Sequence, residues 1–410
     1  MTFITMGFRN LFRQKRRTLT TLLVITFGIG CLLLTMGHTA FIDWGLREQT
    51  IHSETGHLQL FNERCFLQEE ETILEFGIDD SEVITRALQQ FLEVQLVQSR
   101  ISLMGLISNG DKSVAFVGDA IEPAKEKQLR TMFANNGSAR FDSLIVHAGE
   151  DVIILGAALA RSLNVQHGDW VTLMTNTVDG ALNAVDLMVV DTFSGGPVEY
   201  EKRAVNISLN TARELLLTDR VGKLIVTLDK TGNTPVLQKQ IADWADENGH
   251  PLALRTWRQQ AAYYRQVVQF FRQITGFISL ILLIIVFFAS VNTIVMALVE
   301  RTREIGTLLS VGTSRSQTLV MFLFEGFFLG VIGSILAAVF AYAVSSLINS
   351  ANILLPPAPG MSDGYPLSIR MESVTYAAVM GATIIAATLS SILPALRVTR
   401  MKIVDALGHI

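Results

Sequence analysis

The stretch VERTREIGTLLSVGTSRSQT, Val299 to Thr318, decides how this chain is read. Glu300, Arg301, Arg303 and Glu304 crowd into its first turns, yet membrane-length apolar runs lie on both sides of it. Helical spacing puts Ile305, Leu308 and Leu309 on one face and Arg301, Arg303 and Glu304 on others. Gly312 is placed to end that helix, and Ser314 with Gln317 forms a capping box that opens the next one. The reading is a short amphipathic helix joined tightly to two spans, so that a push on it moves both. A solvated interfacial turn is the plainer alternative.

Composition supports the spans. Hydrophobic residues make up 50% of the 410 and charged residues 17%, whereas soluble chains carry roughly 25% charge. The mean hydropathy is +0.39. The excess sits in four blocks, 19–41, 277–299, 319–347 and 374–393, each near the ~20 residues that cross roughly 30 Å of hydrocarbon. The first block follows Arg9, Arg13, Lys15, Arg16 and Arg17, but it is too long for a signal peptide and lacks a small-residue cleavage site. It reads as an anchor. Lysine and arginine gather before the first block, in the 300–318 segment and after the fourth block, while the 348–373 loop offers only Arg370. The positive-inside rule therefore puts residues 1–18, 300–318 and 394–410 in the cytoplasm and the large segment on the other face, in the periplasm or outside the cell. A net charge of −4 gives no support to a nucleic-acid partner. Cys31 and Cys65 supply neither a disulfide framework nor zinc spacing.

The segment 42–255 reads as an α+β domain. Asn109-Gly110 in SRISLMGLISNGDKSVAFVG signals a hairpin turn. In ILGAALARSLNVQHGDWVTLM a helix closes near Asn164, and a turn at Gly168-Asp169 leads into a strand. AVNISLNTARELLL and TPVLQKQIADWADENG read as strand or cap followed by amphipathic helix. From 256 to 276, Trp257, Ala261, Tyr264, Val268, Phe271 and Ile274/Thr275 recur at three- and four-residue spacing. With no helix breaker before the second block, this stretch is expected to be a stalk continuous with that span; the alternative is a separate helix lying on the membrane surface.

Chemistry-bearing motifs are scarce. The sequence has no G-x-x-x-x-G-K-[ST] phosphate loop, no H-E-x-x-H and no G-x-S-x-G. His52 and His57 flank Glu54, but two histidines five apart do not share a helix face, and they are expected to be solvated loop residues. No cofactor, metal or catalytic residue is assigned to this chain. Within the spans, Glu325 either makes a polar contact in a helix bundle or snorkels to the near interface. Gly326, Gly330 and Gly333 form a small-residue face for close helix packing, and Asn292 is a candidate interhelical hydrogen-bonder.

The segment NTIVMALVERTREIGTLLSVGTSRSQTLVMFLFEGFFLGVIG resembles the signature of the FtsX-like permease superfamily, which includes MacB-type exporters and lipoprotein-releasing permeases. FRNLFRQKRRTLTTLLVITFGIG is similar to the family's amino-terminal entry and LPALRVTRMKIVDALG to its closing motif; GAALARSLNVQHGDWVTL resembles the outer domains more loosely. The resemblance implies four spans with a stalked periplasmic α+β domain in a bacterial inner membrane. It also implies a pair of permeases, identical or different, and a dimer of ABC ATPase subunits that binds ATP and Mg on separate chains. Glu300, Arg301, Thr302, Arg303, Glu304, Ile305 and Gly306 then match the family's coupling element. The expected work is mechanical: extraction or movement of a lipoprotein or other amphipathic substrate, with a periplasmic carrier as a further partner. Peptide or drug efflux, or control of a cell-wall hydrolase, are the alternatives within the family; a membrane sensor receptor is the alternative outside it. In the lipoprotein-releasing systems one permease carries a hook that docks a carrier; no such hook is assigned here, the loop around FSGGPVEY being a candidate position alone.

Overall fold

The computed structural model describes residues 13, 15–66, 75–132, 140–147, 149–194, 198–356 and 365–399. The amino-terminal residues before Arg13, most of the closing motif and the centre of FSGGPVEY (195–197) lie outside the described residues, as do the side chains of Glu54, Leu308 and Leu309. The chain divides into a helical unit (Met1–Trp44, Val267–Leu354 and Pro366–Ile410) and an α+β unit (Gly45–Gln266 with Leu355–Tyr365).

In the α+β unit the described residues form β1 (Leu58–Asn62), β2 (Val94–Ser108), β3 (Ser113–Ile121), β4 (Val152–Gly156), β5 (Trp170–Asn176), β6 (Leu182–Phe193), β7 (Ala204–Ser208), β8 (Lys223–Leu228) and β9 (Leu252–Thr256). The hairpin expected at Asn109-Gly110 joins β2 to β3: Asn109 Oδ1 accepts the N–H groups of Asp111 and Lys112, and Gly110 sits at φ 93°, where a side chain would be strained. Pairing runs β2–β3–β7–β4–β6–β5 and returns to β2, which closes a barrel. The period of two sorts the strands. Ile153 and Leu155 of β4 turn into the barrel with Leu103, Phe116, Leu173 and Val189. Val152 and Ile154 turn outward under Phe141 and Leu144 of the helix Arg140–Val146. The long β2 serves two layers: residues 101–108 close the barrel, while 94–100 pair with β8, followed by β1 and β9. At Gly105 a Cβ would lie 2.1 Å from the Met174 carbonyl oxygen, so β2 and β5 approach too closely there for any side chain.

A buried charge cluster crosses this unit. Arg100 on β2 donates from Nη2 to Glu126 Oε2 at 2.5 Å, Gln98 Nε2 donates to the same oxygen at 3.1 Å, and Arg130 Nε donates to Oε1 at 2.9 Å. Arg130 also donates to the carbonyl of Ser53 at 3.2 Å, in the π-helix Ile51–Thr55. Burial alone would raise the Glu126 carboxyl, but Arg100 and Arg130 hold it below the usual carboxylate range.

His57 departs from the expectation of a solvated loop residue. It is 1% exposed, its Nδ1 accepts the Leu228 N–H at 3.0 Å, and Nε2–H donates to Thr231 Oγ1 at 3.2 Å. That geometry needs the neutral ring. Burial, reinforced by His52, lowers its pKa from 6.5 to about 4. Because the folded-state value is depressed, the stabilisation is complete above pH 6.5 and is lost as pH falls toward 4. At 1.36 kcal/mol per pH unit the unit is expected to lose about 3 kcal/mol from this group. Amide exchange of β8 should accelerate over that pH window, and His57→Gln should flatten the response; an unchanged pH dependence in the variant would contradict the assignment.

Among the described residues four helices are long and apolar enough to cross a membrane: Lys15–Thr50, Ala262–Glu300, Arg315–Ala351 and Ser373–Ser390. The first three have 36, 39 and 37 residues, and at ~1.5 Å per residue they exceed the roughly 30 Å of hydrocarbon. The second helix begins at Ala262 rather than at 256. Thr256 instead caps a separate turn, Trp257–Gln260, and Ala261 at ψ 68° leaves the helical region. The fourth breaks at Ser391, and a new helix, Ile392–Thr399, carries Pro394 in its first turn, where a missing N–H is tolerated. Ile25, Ile29, Leu32 and Leu33 of the first helix pack with Val286 of the second, Leu329, Ala337 and Ala341 of the third and Val379 of the fourth.

Candidate functional site

The helix expected between the second and third spans runs from Thr302 to Ser310. Arg301 interrupts the second span, and Thr302 Oγ1 turns back onto the carbonyls of Leu298 and Val299 at 3.0 and 3.1 Å, so the chain bends without losing its polar partners. At the far end Gly312 takes φ 101°. Ser314 and Gln317 then exchange the reciprocal bonds of a capping box at 3.3 and 2.9 Å and open the third span.

Ile305, the described member of the apolar face, is covered by the chain's own helices. Ile305 is 4% exposed and packs with Ile294 and Leu298 of the second helix, Met321 and Phe322 of the third and Ala395 of the helix after the fourth. Of the two surfaces this helix could offer an ATPase, its apolar face or its charges, the apolar one is taken up at Ile305, whose side chain is satisfied inside the bundle. Two of the charges also turn inward to the chain. Arg13 grips Glu304 with both guanidinium nitrogens (3.1 and 2.6 Å), and Arg17 Nη2 donates to Glu300 at 2.6 Å. Arg301 lies 3.6 Å from Glu304. These pairs are largely solvent-exposed, where each contributes roughly 0–1 kcal/mol, so they orient the short helix more than they stabilise it. Among the described side chains of this helix, Arg303, Glu304, Thr307 and Ser310 are exposed. The sequence showed Arg13 and Arg17 only as charges that set topology.

The residues singled out inside the spans separate into two groups. Glu325 is 6% exposed, so its carboxyl lies within the bundle rather than at the interface. Gly326, Gly330 and Gly333 are places of closest helix approach: an added Cβ would lie 2.6 Å from the Ala387 carbonyl oxygen, 2.9 Å from Ile384 Cα and 2.6 Å from Ile25 Cγ2 respectively. Gly326→Leu is expected to over-pack this contact at about 1–3 kcal/mol and to lower the melting temperature of the detergent-solubilised chain. A melting temperature equal to wild type would mean that the helices do not meet there. Asn292, by contrast, faces outward and makes no hydrogen bond among the described residues. The interhelical bond expected of it falls to its neighbour Thr293, whose hydroxyl meets that of Thr21 on the first helix. Among the described residues no group of three or more His, Cys, Asp or Glu side chains could hold a metal ion.

An α+β unit inserted between the first and second of four membrane-length helices, with a short docked helix between the second and third, is the layout of a permease-like membrane protein. The model of the MacB-like periplasmic core domain matches residues 18–244, and that of the FtsX-like permease C-terminal region matches residues 276–403. The chain belongs to the MacB-type permease family. It is 24% identical over 272 residues to the lipoprotein-releasing system transmembrane protein LolC of Neisseria meningitidis, covering 64% of this chain and 65% of that one, just under two thirds of the relative's length. It is 20% identical over 342 residues to LolE of Haemophilus influenzae, covering 78% of each. The periplasmic region of MacB from Actinobacillus actinomycetemcomitans matches 53% of this chain and 95% of its own length at 12% identity, with a TM-score of 0.34.

Proposed function

We propose that this chain is the permease subunit of an ABC transporter, itself non-catalytic, and that a dimer of separate ATPase subunits binds ATP and Mg and drives it through the helix Thr302–Ser310. One observation carries the reading: the short helix is held to several parts of its unit at once. Ile305 holds it to the second and third helices and to the segment after the fourth, and Glu304 holds it to Arg13, just ahead of the first. A displacement of this helix therefore acts on more than one span, which is what a coupling element requires. The spans relay the motion to the α+β unit, and work is done on an amphipathic substrate outside the bilayer. The name of the LolC relative speaks of lipoprotein release, which supports a lipoprotein as the cargo. The protein sits in the bacterial inner membrane with both termini cytoplasmic, as the lysine and arginine distribution supports.

Sidedness is tested by labelling. Cys65 is a poor reporter, because it is buried and burial pushes its thiol pKa up. In a chain with Cys31 and Cys65 changed to serine, Ser113→Cys should react with a membrane-impermeant thiol reagent in intact spheroplasts, and Ser310→Cys only after the membrane is opened. The opposite pattern would invert the topology. ATP hydrolysis should follow the co-purifying ATPase subunit and fall to background when that subunit is removed; activity that stays with this chain alone would refute the reading.

A further inference from the structure

A cleft on the α+β unit holds opposite charges that do not meet. It opens between the helix Ala157–Leu163, the turn that follows it and the end of β6, and it encloses about 480 Å³, within the range of small-molecule sites. Its floor is apolar: Ala160, Val165 and Val190 are 4%, 8% and 3% exposed. Arg161, His167 and Asp191 stand around that floor.

Local structure does not use up these three groups. Arg161 lies in the last turn of its helix, where a cation ordinarily serves the unpaired carbonyls. Here those carbonyls are served by others. The Asn164 N–H bonds to those of Ala160 and Arg161, Lys112 Nζ donates to that of Ser162 at 3.4 Å, and Asn109 Nδ2 donates to that of Leu163 at 2.7 Å. Arg161 is exposed, and its guanidinium makes no hydrogen bond or ion pair among the described residues, not even with Asp191 of the same cleft. Asp191 accepts the Ser143 hydroxyl at Oδ2 (3.3 Å) and the Thr192 N–H at Oδ1 (2.7 Å), which fixes the carboxylate and leaves each oxygen a free lone pair. His167 donates from Nδ1 to the Val190 carbonyl at 2.8 Å, so Nε2 of the neutral ring is left as an acceptor.

A guanidinium and a carboxylate on one cleft, unpaired with each other, are matched together only by a ligand that carries both charges. A simple anion would satisfy Arg161 and be repelled by Asp191; a simple cation would meet the reverse. We propose that this cleft binds a small zwitterion with an apolar side chain, an amino acid or a short peptide. Its carboxylate meets Arg161, its ammonium meets Asp191 and His167 Nε2, and its side chain lies on Ala160, Val165 and Val190. The cleft lies wholly within the α+β unit, so the site stands or falls independently of the permease reading.

Calorimetric titration of the detergent-solubilised full chain with leucine and with leucyl-leucine tests it. Saturable binding is expected, and whichever probe binds more tightly tells a free amino acid from a peptide. The deaminated counterpart of that probe (isocaproate for leucine) and its carboxamide (leucinamide) should each bind about tenfold more weakly or worse, since each lacks one of the two charges. Arg161→Gln should lose affinity to the same degree with an unchanged circular dichroism spectrum, and Arg161→Lys should recover part of it. No saturable binding of either probe, equal binding of a singly charged counterpart, or undiminished binding by Arg161→Gln would overturn the site.

Discussion

Glu126→Ala lowers the stability of the α+β unit by about 3–5 kcal/mol, the range seen when one partner of a buried ion pair is removed. Glu126 is 1% exposed and accepts from Arg100, Arg130 and Gln98. With the carboxylate gone, Arg100 stays buried without its closest counter-charge, the Asp119 carboxylate being 3.9 Å away. Arg130 loses the bond that aims its guanidinium at the Ser53 carbonyl. Amide exchange of β2 and β3 should quicken by about a hundredfold or more, since each 1.4 kcal/mol is a factor of ten. The protonation response has the same sign. The carboxyl is held below 4.5, so its contribution is present above that pH and is lost as the pH falls below it. Wild-type protection of β2 in the variant would show that the cluster is not a stabilising element.

Ile305→Asp detaches the short helix from the bundle. The side chain sits among Ile294, Leu298, Met321, Phe322 and Ala395, and no basic group is among these neighbours. A carboxylate there must either stay desolvated, at a cost of several kcal/mol, or swing the helix outward to reach water. Either outcome breaks the link between helix and spans while leaving Arg303, Thr307 and Ser310 on the exposed face. The variant is expected to insert and to retain its ATPase partner, but ATP hydrolysis should no longer respond to cargo, and transport should fall by at least tenfold. Retained cargo-stimulated hydrolysis would mean that force does not pass through Ile305. Ile305→Val, which keeps most of the contact, should behave nearly as wild type.

Local signals in the sequence carried much of this fold. Four spans follow from apolar length alone, the β2–β3 turn from Asn109-Gly110, and the αL end of the helix Ala157–Leu163 from Asn164. The missing parts depend on contacts distant in sequence. Barrel closure requires β2 to pair with both β3 and β5, which no period-two pattern encodes. Arg13 meets Glu304 across 291 positions, so its role is invisible in a charge count. Ile305 shows why an amphipathic helix is ambiguous: periodicity reveals an apolar face but not whether the chain itself or a partner covers it. Asn292 and Thr293 are neighbours, and one step around the helix separates the outward-facing amide from the hydroxyl that meets Thr21. His57 lay in a polar stretch whose burial only β8 explains.

The central claim is that an ATPase acts on the exposed side of the helix Thr302–Ser310. A photoreactive amino acid placed at Arg303, a position turned to solvent and without an ion pair among the described residues, tests it most directly in native membranes. Irradiation should attach this chain to a nucleotide-binding subunit, with a yield that changes when ATP is added, while the same probe at Arg265 gives no such adduct. No ATPase adduct at Arg303, or equal adducts at both positions, would contradict the account.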